Sequence, residues 1–414
     1  YLYGYALTIP EHIIIILREG LYLKRRGQVK WAIMLSLIFM FTMVAGCGGG
    51  NGEQSSEDVI KLGFLGALTG DVANYGIPGE KGMRMAIDEI NAQGGVLGKE
   101  LVGIYQDNKG DSSEIANIAQ RYITRDKVVA MVGDPCTGLT KIAADIAQKN
   151  QVVIFSAGAT GADVVEIGDF VFRNTMLDTV AAPVVVDWMI NEKQWIKFAL
   201  ITSLNNGYST ALTPIFEEEI VAQGGTIVLS ESINDKETDF SAQITKLKGV
   251  DADVLVFTGY YTEAALILKE AQKQGVDIPL VGGDGLYGQD LISLGGDAVE
   301  EKIFLYCGFA ADQPSEQTAQ FVENYRALYN EEPDMFSAQY YDAVMILAQA
   351  MEKSNSSDPK VFKDEIAKLK DYPGVSGNTT IRDNREPIKS PVFLVTVKDG
   401  TFPSLVTKIP VNVE

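Results

Sequence analysis

Side chains able to do acid–base or nucleophilic chemistry are sparse here. There is one histidine, His12, in 414 residues. It precedes a segment that reads as an export signal, so the processed chain is expected to have none. That removes Ser-His-Asp and Cys-His activation and every histidine-containing metal site. No paired-carboxylate motif, phosphate loop, dinucleotide fingerprint or Cys-x-x-Cys is present. The expectation is a protein that is not an enzyme and has no cofactor or metal. What recurs instead is a type of loop, short and rich in Gly, Ser, Thr, Tyr and Asp. Examples are Gly66-Ala67-Leu68-Thr69-Gly70, Gly133-Asp134-Pro135-Cys136-Thr137-Gly138, Ser156-Ala157-Gly158-Ala159-Thr160-Gly161, Asn205-Asn206-Gly207-Tyr208-Ser209, Gly259-Tyr260-Tyr261 and Gly282-Gly283-Asp284-Gly285. Small residues let backbone N–H groups reach a ligand, hydroxyls donate or accept, and an acid can hold an amine. The chemistry these loops suit is recognition.

The elements around the loops follow one pattern. Val59 to Leu65, Leu101 to Gln106, Val128 to Val132 and Val152 to Phe155 read as strands. Helix-period segments separate them at Gly79 to Gln93, Ser112 to Arg125 and Leu139 to Lys149. The pattern repeats with strands at Lys197 to Ile201, Thr226 to Leu229 and Asp253 to Phe257, and helices near 209–222, 240–247 and 262–274. Val392 to Val397 and Phe402 to Val406, joined at 398–400, read as a hairpin. Such alternation predicts right-handed βαβ units and parallel sheets. There are too many units for one sheet, so the predicted fold is α/β with two doubly wound parallel-sheet lobes. Ligands of such sheets sit beyond the carboxyl ends of the strands, where the loops lie.

The loops and the segments between them resemble the leucine/isoleucine/valine-binding protein family, receptor components of branched-chain amino-acid ABC transporters. The resemblance is carried by Gly66-Ala67-Leu68-Thr69-Gly70, then Tyr75-Gly76. It continues through Ala86-Ile87-Asp88-Glu89-Ile90-Asn91-Ala92-Gln93-Gly94-Gly95, Gly98 and Asp107, and runs from about Val59 to about Val406. It implies a type I periplasmic-binding fold, two lobes joined by a three-strand hinge that closes on ligand. The implied lobes are 58–176 with 308–376, and 177–307 with 377–414. It further implies an amino-acid carboxylate held by Thr137, Gly158 and Thr160 of lobe one, with Tyr208, Tyr260 and Asp284 supplied by lobe two and Asp284 paired with the ligand ammonium. Tyr75 and Phe336 would wall the side-chain pocket. Asp284 replaces a glutamate of well-known relatives, and Gly110 replaces a cysteine that some of them pair with the one matching Cys136. Plainer roles stay open for each residue: an Asx turn for Asp284, helix caps for Thr137 and Thr160, a turn for Gly158, a cap on the lobe surface for Tyr208, and packing for Tyr75, Tyr260 and Phe336.

Upstream lies an address. Lys24-Arg25-Arg26-Gly27-Gln28-Val29-Lys30 is basic, Trp31 to Ala45 is apolar, and Val44-Ala45-Gly46-Cys47 resembles a lipobox. This predicts a signal within residues 1–46, lipidation of Cys47 and a Gly/Ser/Glu-rich tether at 47–57. Translation is expected to start late, near Leu23 or Val29. The expected location is extracytoplasmic, anchored to the membrane. The formal net charge is −20, which argues against nucleic-acid partners. The expected partners are a small-molecule ligand and an ABC permease, with the receptor a monomer. The alternative function is a sensor, or a receptor for a small amide, urea or aromatic acid.

Overall fold

The first sheet of the computed structural model is built from β1 (Val59–Phe64), β2 (Glu100–Ile104), β3 (Ala130–Val132), β4 (Val153–Ser156) and β5 (Val171–Arg173), in the order β2-β1-β3-β4-β5. All pairs are parallel, and Leu62 lies opposite both Gly103 and Ala130. The structure describes residues 59–312 and 315–409. The predicted signal, Cys47 and the tether lie outside the described residues. Helices α1 (Ala73–Ala92), α2 (Ser112–Arg121) and α3 (Thr137–Asn150) make the crossovers.

After β5 the chain passes to α4 (Asp178–Asp187) and a second sheet. It runs β6 (Lys197–Ser203), α5 (Ser209–Ala222), β7 (Thr226–Ile233), α6 (Ser241–Lys248), β8 (Val254–Phe257), α7 (Tyr261–Gln274), β9 (Leu280–Gly282), α8 (Gln289–Gly295) and β10 (Ile303–Cys307). Two late strands, β14 (Val392–Thr396) and β15 (Ser404–Ile409), add antiparallel to its edge, giving β15-β14-β10-β9-β8-β6-β7. All four residues of β8 are buried. A strand covered on both faces needs such an unbroken apolar run, whereas a half-exposed strand would alternate.

Between β10 and β14 the chain returns to the first lobe as α9 (Glu316–Tyr329), α10 (Met335–Ser354) and α11 (Pro359–Ala367). Helix α10 packs along α1. Its first turn is fixed by a capping box between Asp334 and Ser337. A small antiparallel sheet follows, β11 (Tyr372–Gly374), β12 (Gly377–Ile381) and β13 (Pro387–Ser390). The chain thus crosses between the two large sheets three times. The boundary expected at 376/377 falls inside the small sheet, because β12 pairs with β11 and β13. This sheet is also tied to the first lobe, through Thr379 to Asn174 and Arg385 to the carbonyl of Val165.

Helix α1 starts six residues before the expected Gly79. Gly76, Pro78, Gly79 and Gly82 all fall within it, residues that argue against a helix when read alone. Packing explains Gly82: an added Cβ would lie 2.0 Å from the carbonyl oxygen of Ser337 on α10. Gly82→Ala is expected to destabilise the protein by about 1–3 kcal/mol through this overlap. A lowered urea midpoint would show it, and an unchanged one would mean the helices part freely.

Candidate functional site

The carboxyl ends of both parallel sheets face one cleft, as expected of open α/β sheets. From the first lobe come the loops after β3 and β4, together with α1 and the start of α10. From the second come the loops after β6, β8 and β9. Seven of the eight expected residues line one small cavity: Tyr75, Gly158, Thr160, Tyr208, Tyr260, Asp284 and Phe336. Pro135 and Gly285 complete its wall. Thr137 does not reach it. Its hydroxyl accepts the Gly161 N–H at 3.2 Å, so it braces the loop that carries Thr160.

The walls are aromatic. Tyr75 packs on Phe336 with ring centroids 4.7 Å apart, and Tyr260 stacks on Tyr208 at 5.7 Å. Tyr75 meets Tyr260 edge-on at 5.6 Å, which joins the lobes. Gly158 belongs to this packing, since a Cβ there would lie 2.8 Å from Pro135 Cα. Only a residue without a side chain lets the two loops approach so closely.

Hydrogen bonds across the cleft hold the lobes together. Tyr75 donates to the carbonyl of Gly285 at 2.5 Å, and Tyr261 to that of Asp71 at 2.5 Å. Asn74 donates to Asp290 at 2.6 Å. The enclosed space open to a water is about 10 Å³, close to the minimum for one molecule. This conformation is shut, and an amino acid can enter only with the lobes apart. A wider cleft of about 290 Å³ adjoins the cavity, bordered by Cys136, Leu139, Asn206, Asp235, Tyr260 and Glu263.

The polar side of the cavity is acidic. Asp284 sits at the start of a single 3-10 turn after β9, buried, with its carboxyl beside the Tyr208 hydroxyl. Burial, and then the neighbouring Asp178 carboxylate, push the Asp284 carboxyl well above the usual range. Asp178, the first residue of α4, is buried too and accepts a hydrogen bond from Tyr306 at 2.8 Å. Its carboxyl is pushed up to about 6, chiefly by burial.

Arg173 supports the site from behind. It makes two bonds to Glu386, at 2.7 and 2.6 Å, and donates to the carbonyls of Ala159 and Gly161. Sequence reasoning did not find Asp178, Tyr306, Arg173 or Glu386. The available signal for Asp178 was slight, a lone acid opening the apolar run Val180 to Val186.

Cys136 and Cys307 are both buried and free. The Cys136 thiol sits against the Tyr260 hydroxyl, and burial raises its pKa well above the ordinary thiol value. Among the described residues no group of three or more His, Cys, Asp or Glu is placed to hold a metal, and no helix is long and apolar enough to cross a membrane.

Comparison with known proteins agrees with this architecture. Residues 59–401 match the family model described as periplasmic binding protein. A leucine-, isoleucine-, valine-, threonine- and alanine-binding protein of Pseudomonas aeruginosa is 27% identical over 333 residues, 80% of this chain and 87% of that protein. The crystal structure of a Thermotoga maritima leucine-binding protein superposes with a TM-score of 0.81 at 27% identity, over 86% of this chain and all of that one. The branched-chain amino-acid transporter substrate-binding protein of Streptococcus pneumoniae, solved with isoleucine, gives 0.79 at 33% identity, over 84% and 99%. With its two lobes, its three crossings and a match over nearly all the described residues, the chain belongs to the periplasmic binding protein family.

Proposed function

We propose that this protein is the extracytoplasmic receptor of an ABC transporter for branched-chain or similar amino acids. The observation that carries the reading is the composition of the closed cleft. A buried acid, Asp284, lies beside Tyr208 in the second lobe. Thr160 and the backbone of the Gly158 loop face it from the first lobe, and Tyr75 and Phe336 supply an apolar wall. An ammonium would sit at the acid. A carboxylate would sit at the neutral donors, which can replace an arginine where water is excluded. An aliphatic side chain would pack on the rings. Thr137 acts one step back, through the loop it braces.

The amino acid docks with the lobes apart, and closure around the three crossings then buries it. Sheet pairing supports lobes of 59–175 with 308–390, and 176–307 with 391–409. The shut form is what the permease meets, and a lipid on Cys47 would hold the receptor, as a monomer, close to that partner. The acidic floor disfavours an aromatic acid, which brings a second negative charge and no cation.

Isothermal titration against the twenty amino acids tests the reading. The expected result is binding of leucine, isoleucine or valine with the strongest affinity among them. Binding to none of the twenty would sink the assignment.

A further inference from the structure

The first two crossings between the lobes meet at one residue of α10. Gln339 stands one helical turn after Phe336, but it does not line the cavity. At the first crossing, Asn174 Nδ2 donates to the backbone carbonyl of Gln339 at 3.3 Å. At the second, a Cβ built on Gly308 would lie 3.8 Å from Gln339 Nε2 and 3.4 Å from Cβ of Met176. The third crossing is tied in through Lys389 on β13. Its ammonium donates to the Thr379 hydroxyl at 3.2 Å, and that hydroxyl donates to Asn174 Oδ1 at 3.1 Å. Asn174, Thr379, Lys389, Gln339 and Thr175 are all buried.

These polar side chains fall into two sets. Asn174, Thr379 and Lys389 are hydrogen-bonded. The amide of Gln339 is not: at 1% exposure, neither Nε2 nor Oε1 has a hydrogen-bond partner among the described residues. The hydroxyl of Thr175, next to Asn174 in the chain, has none either. Buried polar groups are seldom left so, and each unmet one carries the full cost of its lost hydration. Both residues stand where closure acts. Helix α10 is held to the first lobe by its packing on α1. The crossings at Thr175 and Gly308 absorb the change in backbone angles as the lobes turn. The amide and the hydroxyl therefore meet different neighbours in the two arrangements.

We propose that Gln339 and Thr175 are positioning residues that set ligand affinity by opposing closure. Their polar atoms go unmatched in the shut form and find backbone or solvent partners when the crossings turn. Ligand binding has to offset that cost, so the apparent affinity is lower than that of the shut cleft itself. The same cost keeps the parted form populated, and ligand enters through that form. The expected mutational sign is the reverse of the usual one. Deleting a buried polar contact normally weakens a site. Here an apolar side chain of similar size removes a cost from the shut form alone, and binding tightens. The proposal needs the closure of two lobes and not the identity of the ligand.

Gln339→Met and Thr175→Val keep the side-chain size and remove the polar atoms. Single-molecule energy transfer between exposed dyes, one on each lobe, reads the parted fraction. Titration and stopped-flow release of leucine, isoleucine and valine read the affinity and its kinetics. Each variant is expected to be shut more of the time before ligand is added. Each should bind about fivefold more tightly or better, through slower release, with an unfolding midpoint equal to wild type or above it. Gln339→Glu keeps the shape and buries a charge in the shut form, so it should raise the parted fraction and weaken binding. A parted fraction and affinity unchanged in both apolar variants would overturn the proposal. So would weaker binding, because the amide and hydroxyl would then be making favourable bonds in the shut form. Should Gln339→Met not fold, Thr175→Val decides by the same readings. If none of the three amino acids binds, the proposed ligand class fails, and the dye distances still test the hinge residues.

Discussion

Asp284→Ala is expected to weaken binding of an amine-bearing ligand by about 2–5 kcal/mol, the usual loss when one partner of a desolvated charge pair is removed. Burial makes the effect large. Asp284 lies under the closed lobes, where water screens little, and an ammonium left without its acid would be buried unpaired. The same burial predicts a small or opposite effect on the free protein. A carboxyl whose pKa rises on folding costs the fold stability in full above the raised value; the cost shrinks as pH falls through that value and is gone below the unfolded one. Asp284 is held up by burial and by Asp178, so the variant should unfold at the same temperature as wild type or above it. Lost affinity with an intact unfolding midpoint is the signature expected of a ligand contact. Asp284→Asn keeps the shape and removes the charge, so it should bind nearly as poorly as the alanine variant. Unchanged affinity in both would mean that Asp284 does no more than shape the turn from Gly283 to Tyr287.

The residues legible in the sequence were those at the ends of legible strands. Val254 to Phe257 is an unbroken apolar run, so Tyr260 beyond it was placed by the strand itself. Asp284 was singled out by its Gly-Gly-Asp-Gly loop and the family resemblance, since the three-residue β9 before it is too short to stand out as an apolar run. Helix α5 was also read at its true extent, found at Ser209–Ala222 where one near 209–222 was expected, even though it contains Pro214. What stayed hidden depends on contacts distant in sequence. The first turns of α1 contain Gly76 and Pro78, and their helical state is set by packing against the β1 loop and α10, which periodicity cannot report. The small sheet from β11 to β13 has short, mixed strands that pair only with one another, so no long apolar run announced them. Thr137 was given a ligand role by the family resemblance, with a helix cap as the alternative. Its side chain in fact turns to the neighbouring loop, a choice of partner that only the folded structure defines. Asp178 is the converse case, an ordinary helix-opening acid that the fold buries against Tyr306 on β10.

Arg173 joins the frame of the protein to its site, and its removal should show both roles. Its side chain is 3% exposed and that of Glu386 is 11% exposed, so their pair is shielded from solvent. Arg173→Met is expected to cost about 3–5 kcal/mol of stability, because Glu386 is left buried and unpaired. Urea unfolding would measure it. Replacing both partners, Arg173→Met with Glu386→Met, should recover much of that loss, since no charge then remains uncompensated. Affinity should not recover with it. Arg173 also donates to the carbonyls of Ala159 and Gly161, on either side of Thr160, and a methionine gives them no donor. The double variant is therefore expected to be stable and still bind poorly, with its loop no longer held against the cleft. If it regains wild-type affinity together with stability, Arg173 only neutralises Glu386. The loop would then be held by what remains, the bond from the Gly161 N–H to Thr137 and that from the Ala159 N–H to Ser156.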